Sequence, residues 1–385
     1  MIIKNGLVFT EDGTFEPRTV LTKDDEILYV SVDGKGEASN VFDATGCFVL
    51  PGLTDIHFHG CAGHDFCDGT KEAFDAIASY ELTQGVTSIC PATMTLSAER
   101  LTEICESAAD YHVAQLNNTA KTDTAELVGI HMEGPFINVN KKGAQNAAYV
   151  QAPSADKIRG WQQASGGLVR LISLAPEVDG AIDCIKECAG EFRFSIAHTE
   201  ADYDTACKAF EAGADHVTHL YNAMPPFTHR APGVIGAASD AEESFVELIC
   251  DGVHIAPSVV RATFKLFGDD RVVLISDSME ACGMPDGTYS LGGLEVHVTG
   301  NRATLADGTI AGSATPLYKC LLTAVSMGIP LESAVKAATI NPCRSIGIDH
   351  KYGSIAPNKK AHFLILDQKD LSIKAVIKGQ ECYRH

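Results

Sequence analysis

The sequence predicts an α/β protein: a (β/α)8 TIM-like barrel with a small β-sandwich domain built from both chain ends. Three observations carry that expectation. Short apolar runs return eight times along the middle of the chain, each followed by polar or glycine-rich residues and then a helical-looking stretch. Both ends instead hold short strand-like pieces separated by Asp/Gly turns. The length of 385 residues suits a barrel of roughly 250 residues plus a smaller companion.

Taken in order, GLVFT, EILYV and CFVL in residues 1–50 read as short strands. The eight runs that follow are FVLPGLTDIHFHG, GVTSICPAT, AELVGIHMEGP, LVRLISLAPE, FRFSIAHTE, DHVTHLYNAM, FVELICDGVHI and RVVLISDSME. Strands rich in Val, Ile and Leu that alternate with helices imply parallel strands buried on both faces, and eight such units imply a closed barrel over residues 51–342. After the eighth run, YSLGGLEVHVTGNRATLADGTI reads as a β excursion before the last barrel helix. At the C-terminus, GSIAPNKKAHFLILD and IKAVIKGQECY resemble the N-terminal pieces, so residues 343–385 should join residues 1–50 in the small β-sandwich domain.

With 45% hydrophobic and 21% charged residues the composition fits a soluble globular chain. No signal peptide or membrane span is legible, which points to the cytoplasm. The thirteen cysteines include no Cys-x-x-Cys pair and read as buried small hydrophobes. A formal net charge of −20 argues against nucleic acid or an anionic membrane as partner. It would also repel a phosphorylated substrate unless local donors reversed the field.

In a barrel of this kind the catalytic groups sit at the C-terminal ends of the strands. The first run ends with His57-Phe58-His59, the third reaches Glu133, the fifth His198, the sixth His219 and the eighth Asp277. Residues i and i+2 of a strand share a face, so His57 and His59 can both aim at the barrel axis. A lone His-x-His is weak, but packing alone does not ask for four imidazoles and two carboxylates around one axis. Such a set suits zinc, or another divalent ion such as iron, better than magnesium or calcium. Asp277 is the candidate general base; its bland reading is a helix cap beside Ser276 and Ser278.

The segments HMEGPF, AHTEA, THLYNAM, DGVH, SDSMEACGMPDGTYSLGG and ATINP, with PGLTDIHFHG and GSIAPNKKAHFLILD, resemble the N-acetylglucosamine-6-phosphate deacetylase family of the amidohydrolase superfamily. The resemblance spans nearly the whole chain. It implies that Glu133, His198 and His219 hold the main metal and that Asp277 is general base and acid. It further implies that His57 and His59 match the members that can hold a second ion, so one or two ions per site are expected. Asn222 and Ala223 would contact the sugar phosphate, His254 the sugar or phosphate, and Arg230 the phosphate from a neighbouring subunit, which implies a homodimer. Donors of the Ala223 N–H, Asn222 amide and Arg guanidinium kind also make independent sense for phosphate in an acidic protein.

One segment departs from the family pattern: where a Lys-Gly-x-His-Asn stretch is usual, this chain has Lys142-Gly143-Ala144-Gln145-Asn146. Gln145 can donate an N–H to the scissile carbonyl but carries no charge. Three other readings compete. A cyclic-amide hydrolase or deaminase shares the barrel and the His-x-His, yet the cyclic-amide group uses a modified Lys at strand four, where this chain has Glu177 and no Lys. A scaffold that lost its ligands conflicts with the full ligand set. The N-acetylgalactosamine 6-phosphate isomer differs from the glucosamine substrate by the orientation of one hydroxyl and stays open.

Overall fold

The computed structural model describes residues 1–32, 38 and 40–384. Each of the eight apolar runs contains a strand: β1 (Leu53–Asp55), β2 (Val86–Ile89), β3 (Ile130–Phe136), β4 (Val169–Leu174), β5 (Arg193–Ile196), β6 (His216–Val217), β7 (Phe245–Ile249) and β8 (Val272–Ile275). A helix follows every one: α1 (Lys71–Thr83), α2 (Ala98–Leu116), α3 (Ala155–Ala164), α4 (Ala181–Cys188), α5 (Tyr203–Ala212), α6 (Gly233–Asp240), α7 (Pro257–Phe267) and α8 (Leu317–Ser326).

Strands β3 to β8 form one parallel sheet in chain order. Strand β1 pairs with β2 in a second parallel sheet, which meets β3 through a bridge between Ala92 and His131. On the far side, the Asp277 N–H donates to the His57 carbonyl at 2.9 Å and the His59 N–H to the Ser278 carbonyl at 2.7 Å. Backbone hydrogen bonds therefore run from β1 through β8 and back to the segment after β1.

Period-two alternation sorts the strand residues between two cores. Val246, Leu248, Val272 and Leu274 pack in the large cluster shared with the helices. Ile249, Val273 and Ile275 join Ile56, Cys90 and Leu171 in a second cluster, completed by Cys343, Ile346 and Ile348. Polar groups are buried among these strands as well: Ser173 follows Leu171, Asp277 follows Ile275, and Glu247 lies level with Val273.

The chain ends combine as well. Strands at Ile2–Phe9, Phe15–Lys23, Glu26–Ser31, Val41–Asp43 and Cys47–Pro51 share one eight-stranded sheet with His362–Asp367, Ile373–Lys378 and Glu381–Arg384. Ile3, Val8, Val20, Val49, Phe363, Ile365 and Ile377 form its core. The β excursion after β8 is a three-stranded antiparallel sheet, Gly287–Leu291, Leu294–Thr299 and Arg302–Thr304. All thirteen cysteines are free and nine are buried.

Glu81, on the buried face of α1, is fully buried. Burial, reinforced by the charge of Asp55, pushes its carboxyl up to about 8. A carboxyl with a raised folded-state pKa stabilises the fold below its unfolded value and loses that contribution as pH rises toward 8. Glu81→Gln, which stays neutral, should therefore be more stable than the parent at pH 9, by about 2 kcal/mol, and close to it at pH 5. Urea unfolding at the two pH values checks this, and an equal effect at both would show that Glu81 is not the titrating group.

Candidate active site

The polar inward residues converge at the C-terminal ends of the strands around one carboxylate. Glu133 Oε1 lies 3.1 Å from His198 Nε2 and 3.1 Å from His219 Nε2, and those two nitrogens are themselves 3.1 Å apart. The same oxygen is 3.4 Å from His57 Nε2. Glu133 Oε2 faces His59 Nε2 at 3.2 Å and accepts from the Gln145 amide at 2.6 Å. Asp277 Oδ1 is 3.5 Å from His59 Nε2 and 3.7 Å from His57 Nε2.

Tetrahedral ligands with bonds of about 2.0–2.1 Å stand roughly 3.3–3.4 Å apart, so the Glu133, His198 and His219 atoms already have the spacing of three ligands to one ion. His57, His59 and Asp277 form a second such group. The ring orientations fit that use. His198 Nδ1 donates to the Lys141 carbonyl at 2.8 Å, which leaves its Nε2 free to act as a ligand. His57 Nδ1 donates to Glu247 Oε2 at 2.7 Å, and its buried Nε2 has no hydrogen-bond partner among the described residues. The donor set of imidazole nitrogens and carboxylate oxygens suits zinc or iron.

Electrostatics agree with the geometry. Burial alone would raise Glu133, but the charge of His57 and the close approach of the His198 and His219 imidazoles hold it well below the usual carboxylate range. Burial would also lower His59, yet its hydrogen bonds to Asp277 and Glu133 push it up to about 10. Asp277 is likewise buried, and the His59 hydrogen bond with the charge of His57 keeps it ionised, below its ordinary value. An ionised carboxylate at the mouth of the cluster can accept a proton.

Backbone strain concentrates here. His198, His219, Tyr221, Ala223 and Asp277 all adopt positive φ, between 30° and 79°. Residues with a Cβ avoid that region, at a cost of order 1–3 kcal/mol each, and its occupation in one place marks side chains aimed for a purpose. Asp277 is clasped on both sides: its N–H donates to His57 and its carbonyl accepts from the Ser313 N–H at 2.7 Å. Gly312 approaches that carbonyl so closely, with φ +64°, that a side chain there would meet it.

The cluster opens into a cavity of about 380 Å³, whose lining includes His59, Glu133, Gln145, His198, His219, Asn222, Ala223, His254 and Asp277, with Leu291, Thr309 and Ile310 from the β excursion and the segment after it. His254 Nδ1 donates to Asp251 Oδ2 at 2.8 Å, which fixes the ring against the wall. Arg230 is exposed and lies outside the cavity of its own chain, as a residue expected to act in a neighbouring subunit would. Two other expectations need correction. The Asn222 amide nitrogen donates to the carbonyls of His219 and Leu220 at 3.2 and 3.4 Å, so it braces its own loop and does not point its donors at a ligand. Gln145 reaches the cavity, but its amide is engaged on Glu133 and Thr95.

Sequence reasoning passed over Glu247 and Asp251. Glu247 is 0% exposed and accepts from His57 and, at 3.0 Å, from the His219 N–H, while its other oxygen sits 3.2 Å from His216 Nε2. The signal was present, since a glutamate within the apolar run FVELIC must be paired if that strand is buried. Asp251 opens the DGVH segment whose histidine alone was singled out.

The chain belongs to the amidohydrolase family, whose profile matches residues 48–384. Within that family it is similar to the N-acetylglucosamine-6-phosphate deacetylase of Bacillus subtilis (strain 168), 34% identical over 98% of this chain and 93% of the relative. It is also 32% identical to the N-acetylgalactosamine-6-phosphate deacetylase of Escherichia coli O157:H7, over 83% of both chains. Among solved structures, a mutant N-acetyl-D-glucosamine-6-phosphate deacetylase from Mycobacterium smegmatis in complex with N-acetyl-D-glucosamine-6-phosphate superposes with a TM-score of 0.91, at 31% identity, covering 99% of this chain and 98% of that one.

Removal of Glu247 would strand the His57 ring and the His219 N–H in a dry interior. Glu247→Ala should therefore lower the unfolding free energy by about 3–5 kcal/mol. Chemical denaturation measures this, and a loss below about 1 kcal/mol would mean that other groups hold the two histidines.

Proposed function

We propose that this protein hydrolyses the acetamide of N-acetyl-D-glucosamine 6-phosphate to D-glucosamine 6-phosphate and acetate. The observation that carries the reading is the convergence of Glu133, His198 and His219 on one point, with ionised Asp277 beside it in the lining of the same cavity. The relatives named for this activity support it over nearly the full chain length. A divalent ion, zinc or iron, would be held by Glu133, His198 and His219, with His57 and His59 available for a second; when bound it supplies Lewis acidity that acidifies water and polarises the amide carbonyl.

The chain's own residues supply the rest. Asp277 takes the proton from the attacking water and returns it to the amine as the C–N bond breaks, so one carboxylate serves both directions of proton transfer. His254, braced by Asp251, is suited to a sugar hydroxyl or phosphate oxygen. Ala223 offers a backbone N–H to the phosphate from a strained loop. The cavity of a single chain carries Glu133 and Asp277 as anions, with Lys141 in its lining, and a phosphate there gains from a further cation. Arg230 from a second copy is suited to that role, and Phe227, 53% exposed on the same loop, offers an apolar contact for such a homodimer.

The same reading carries an architecture: a closed (β/α)8 barrel over residues 51–342 and a small β domain from residues 1–50 and 343–385, expected as a sandwich and built on one eight-stranded sheet. The hydrogen bonds that return from β8 to the β1 segment support closure. The crossing stretch runs through Cys343, Ile346 and Ile348, which pack in the strand core, before the terminal strands begin at His362. No helix among the described residues is long and apolar enough to cross a membrane, and we place the enzyme in the cytoplasm with neither membrane nor nucleic acid as partner. A second reading, N-acetylgalactosamine-6-phosphate deacetylase, is favoured by one relative of nearly equal identity.

Acetate release from the two sugar phosphates, measured side by side, should give a kcat/KM at least tenfold higher for the glucosamine epimer; the reverse ratio would establish the second reading. Asp277→Asn should lose about 10³-fold or more in kcat while keeping its metal, since an amide accepts no proton from water. Near-parental turnover in the metal-loaded variant would remove Asp277 from its role. Mixed with inactive Arg230→Ala chains under subunit exchange, it should recover activity through hybrids that own one intact site.

A further inference from the structure

We propose that Gln145 is a positioning residue of the ion site: it acts on Glu133 and not on the scissile carbonyl, and through Glu133 it sets the affinity for the divalent ion. The inference rests on the metal-dependent reading of the site. Its first support is the orientation of the amide. Gln145 is 2% exposed, and its Oε1 accepts from the Thr95 backbone N–H at 2.7 Å. A backbone N–H can only donate, so the oxygen must be on that side and Nε2 on the other. Nε2 then donates to Glu133 Oε2 at 2.6 Å, a charge-assisted hydrogen bond.

The contact has a geometric consequence. Glu133 Oε1 is the oxygen that meets His198 and His219, and Oε2 is the one Gln145 grips. With Oε2 tied to Gln145, and Gln145 tied to the backbone after β2, the carboxylate plane is fixed and Oε1 is presented to the two imidazoles. A second observation points the same way from the same loop. The Lys141 carbonyl orients the His198 ring at 2.8 Å, the Gln145 N–H donates to the Lys142 carbonyl at 2.8 Å, and the Asn138 N–H donates to the His198 carbonyl at 2.9 Å. One short loop thus sets two of the three ligands, one through a carbonyl and one through a side-chain amide. Outer partners of this kind typically change metal affinity by about 10–100-fold when lost.

The test uses the full chain as parent, Gln145→Met, which keeps the volume and removes both hydrogen bonds, and Gln145→Asn, which retains a shorter amide should Met fail to fold. Zn²⁺ affinity is measured by chelator competition, the ligand field by the visible absorption of the Co²⁺ form, and turnover per ion-loaded site at saturating Zn²⁺. The expected result is a 10–100-fold loss of Zn²⁺ affinity and a shifted Co²⁺ spectrum, with turnover per loaded site within about threefold of the parent. Unchanged affinity and spectrum overturn the proposal. So does unchanged affinity with a loss of about 10²-fold in turnover per loaded site, which would put the amide on the substrate carbonyl. If the parent itself takes up no ion, the metal reading fails together with this inference; if parent and variants bind alike, this inference alone fails.

Discussion

A buried carboxylate at the hub of four imidazoles is the constraint on which the rest of the structure depends. Glu133 is 2% exposed, and an ionised carboxylate in such a place costs several kcal/mol unless charged partners surround it. Its partners come from well-separated parts of the chain: His57 and His59 after β1, His198 after β5, His219 after β6 and Gln145 from the loop after β3. Only an arrangement that brings many strand ends to one point can supply them together. Five residues around that point keep left-handed backbone to do so, a strain the surrounding packing must hold in place.

Three carboxylates divide the work according to their surroundings. Glu133 at the centre is held ionised by histidines on several sides and is suited to an ion. Glu247 lies behind it, 0% exposed, with one oxygen accepting from His57 and the His219 N–H and the other 3.2 Å from His216, so it braces the imidazoles from outside the cavity. Asp277 stands at the cavity, anchored by two backbone hydrogen bonds and ionised beside His59, where a reacting group can reach it. Identical chemistry in three environments thus gives one carboxylate suited to an ion, one that braces imidazoles and one suited to proton transfer. Asp251 repeats the brace on a smaller scale for His254.

Much of this was legible in the sequence because it follows from local periodicity. The eight Val/Ile/Leu-rich runs hold the eight parallel strands, and the period of two in a strand explains why His57 and His59 share a neighbourhood. The residues at the run ends, Glu133, His198, His219 and Asp277, gather at one site for the same reason. What local pattern does not encode is the choice of hydrogen-bond partner within a loop. The Asn222 amide turns back onto its own carbonyls, and Gln145 finds Glu133 and Thr95, because loop closure and burial decide those contacts. Glu247 was readable in principle, as a charge within an apolar strand, but its partners His57 and His219 follow β1 and β6 and only the fold reveals them. Arg230 lies outside the cavity of its own chain, and no pattern within one sequence says what a second copy places there.

The central claim is that Glu133, His198 and His219 hold a divalent ion on which deacetylation depends. Elemental analysis of the purified protein, paired with acetate release from N-acetyl-D-glucosamine 6-phosphate before chelation, after chelation and after return of Zn²⁺ or Fe²⁺, tests it most directly. The account predicts at least one ion per chain, loss of turnover on its removal and recovery on its return, with none of these in a Glu133→Gln/His198→Ala double variant. Full turnover in protein shown to contain no stoichiometric metal would contradict it.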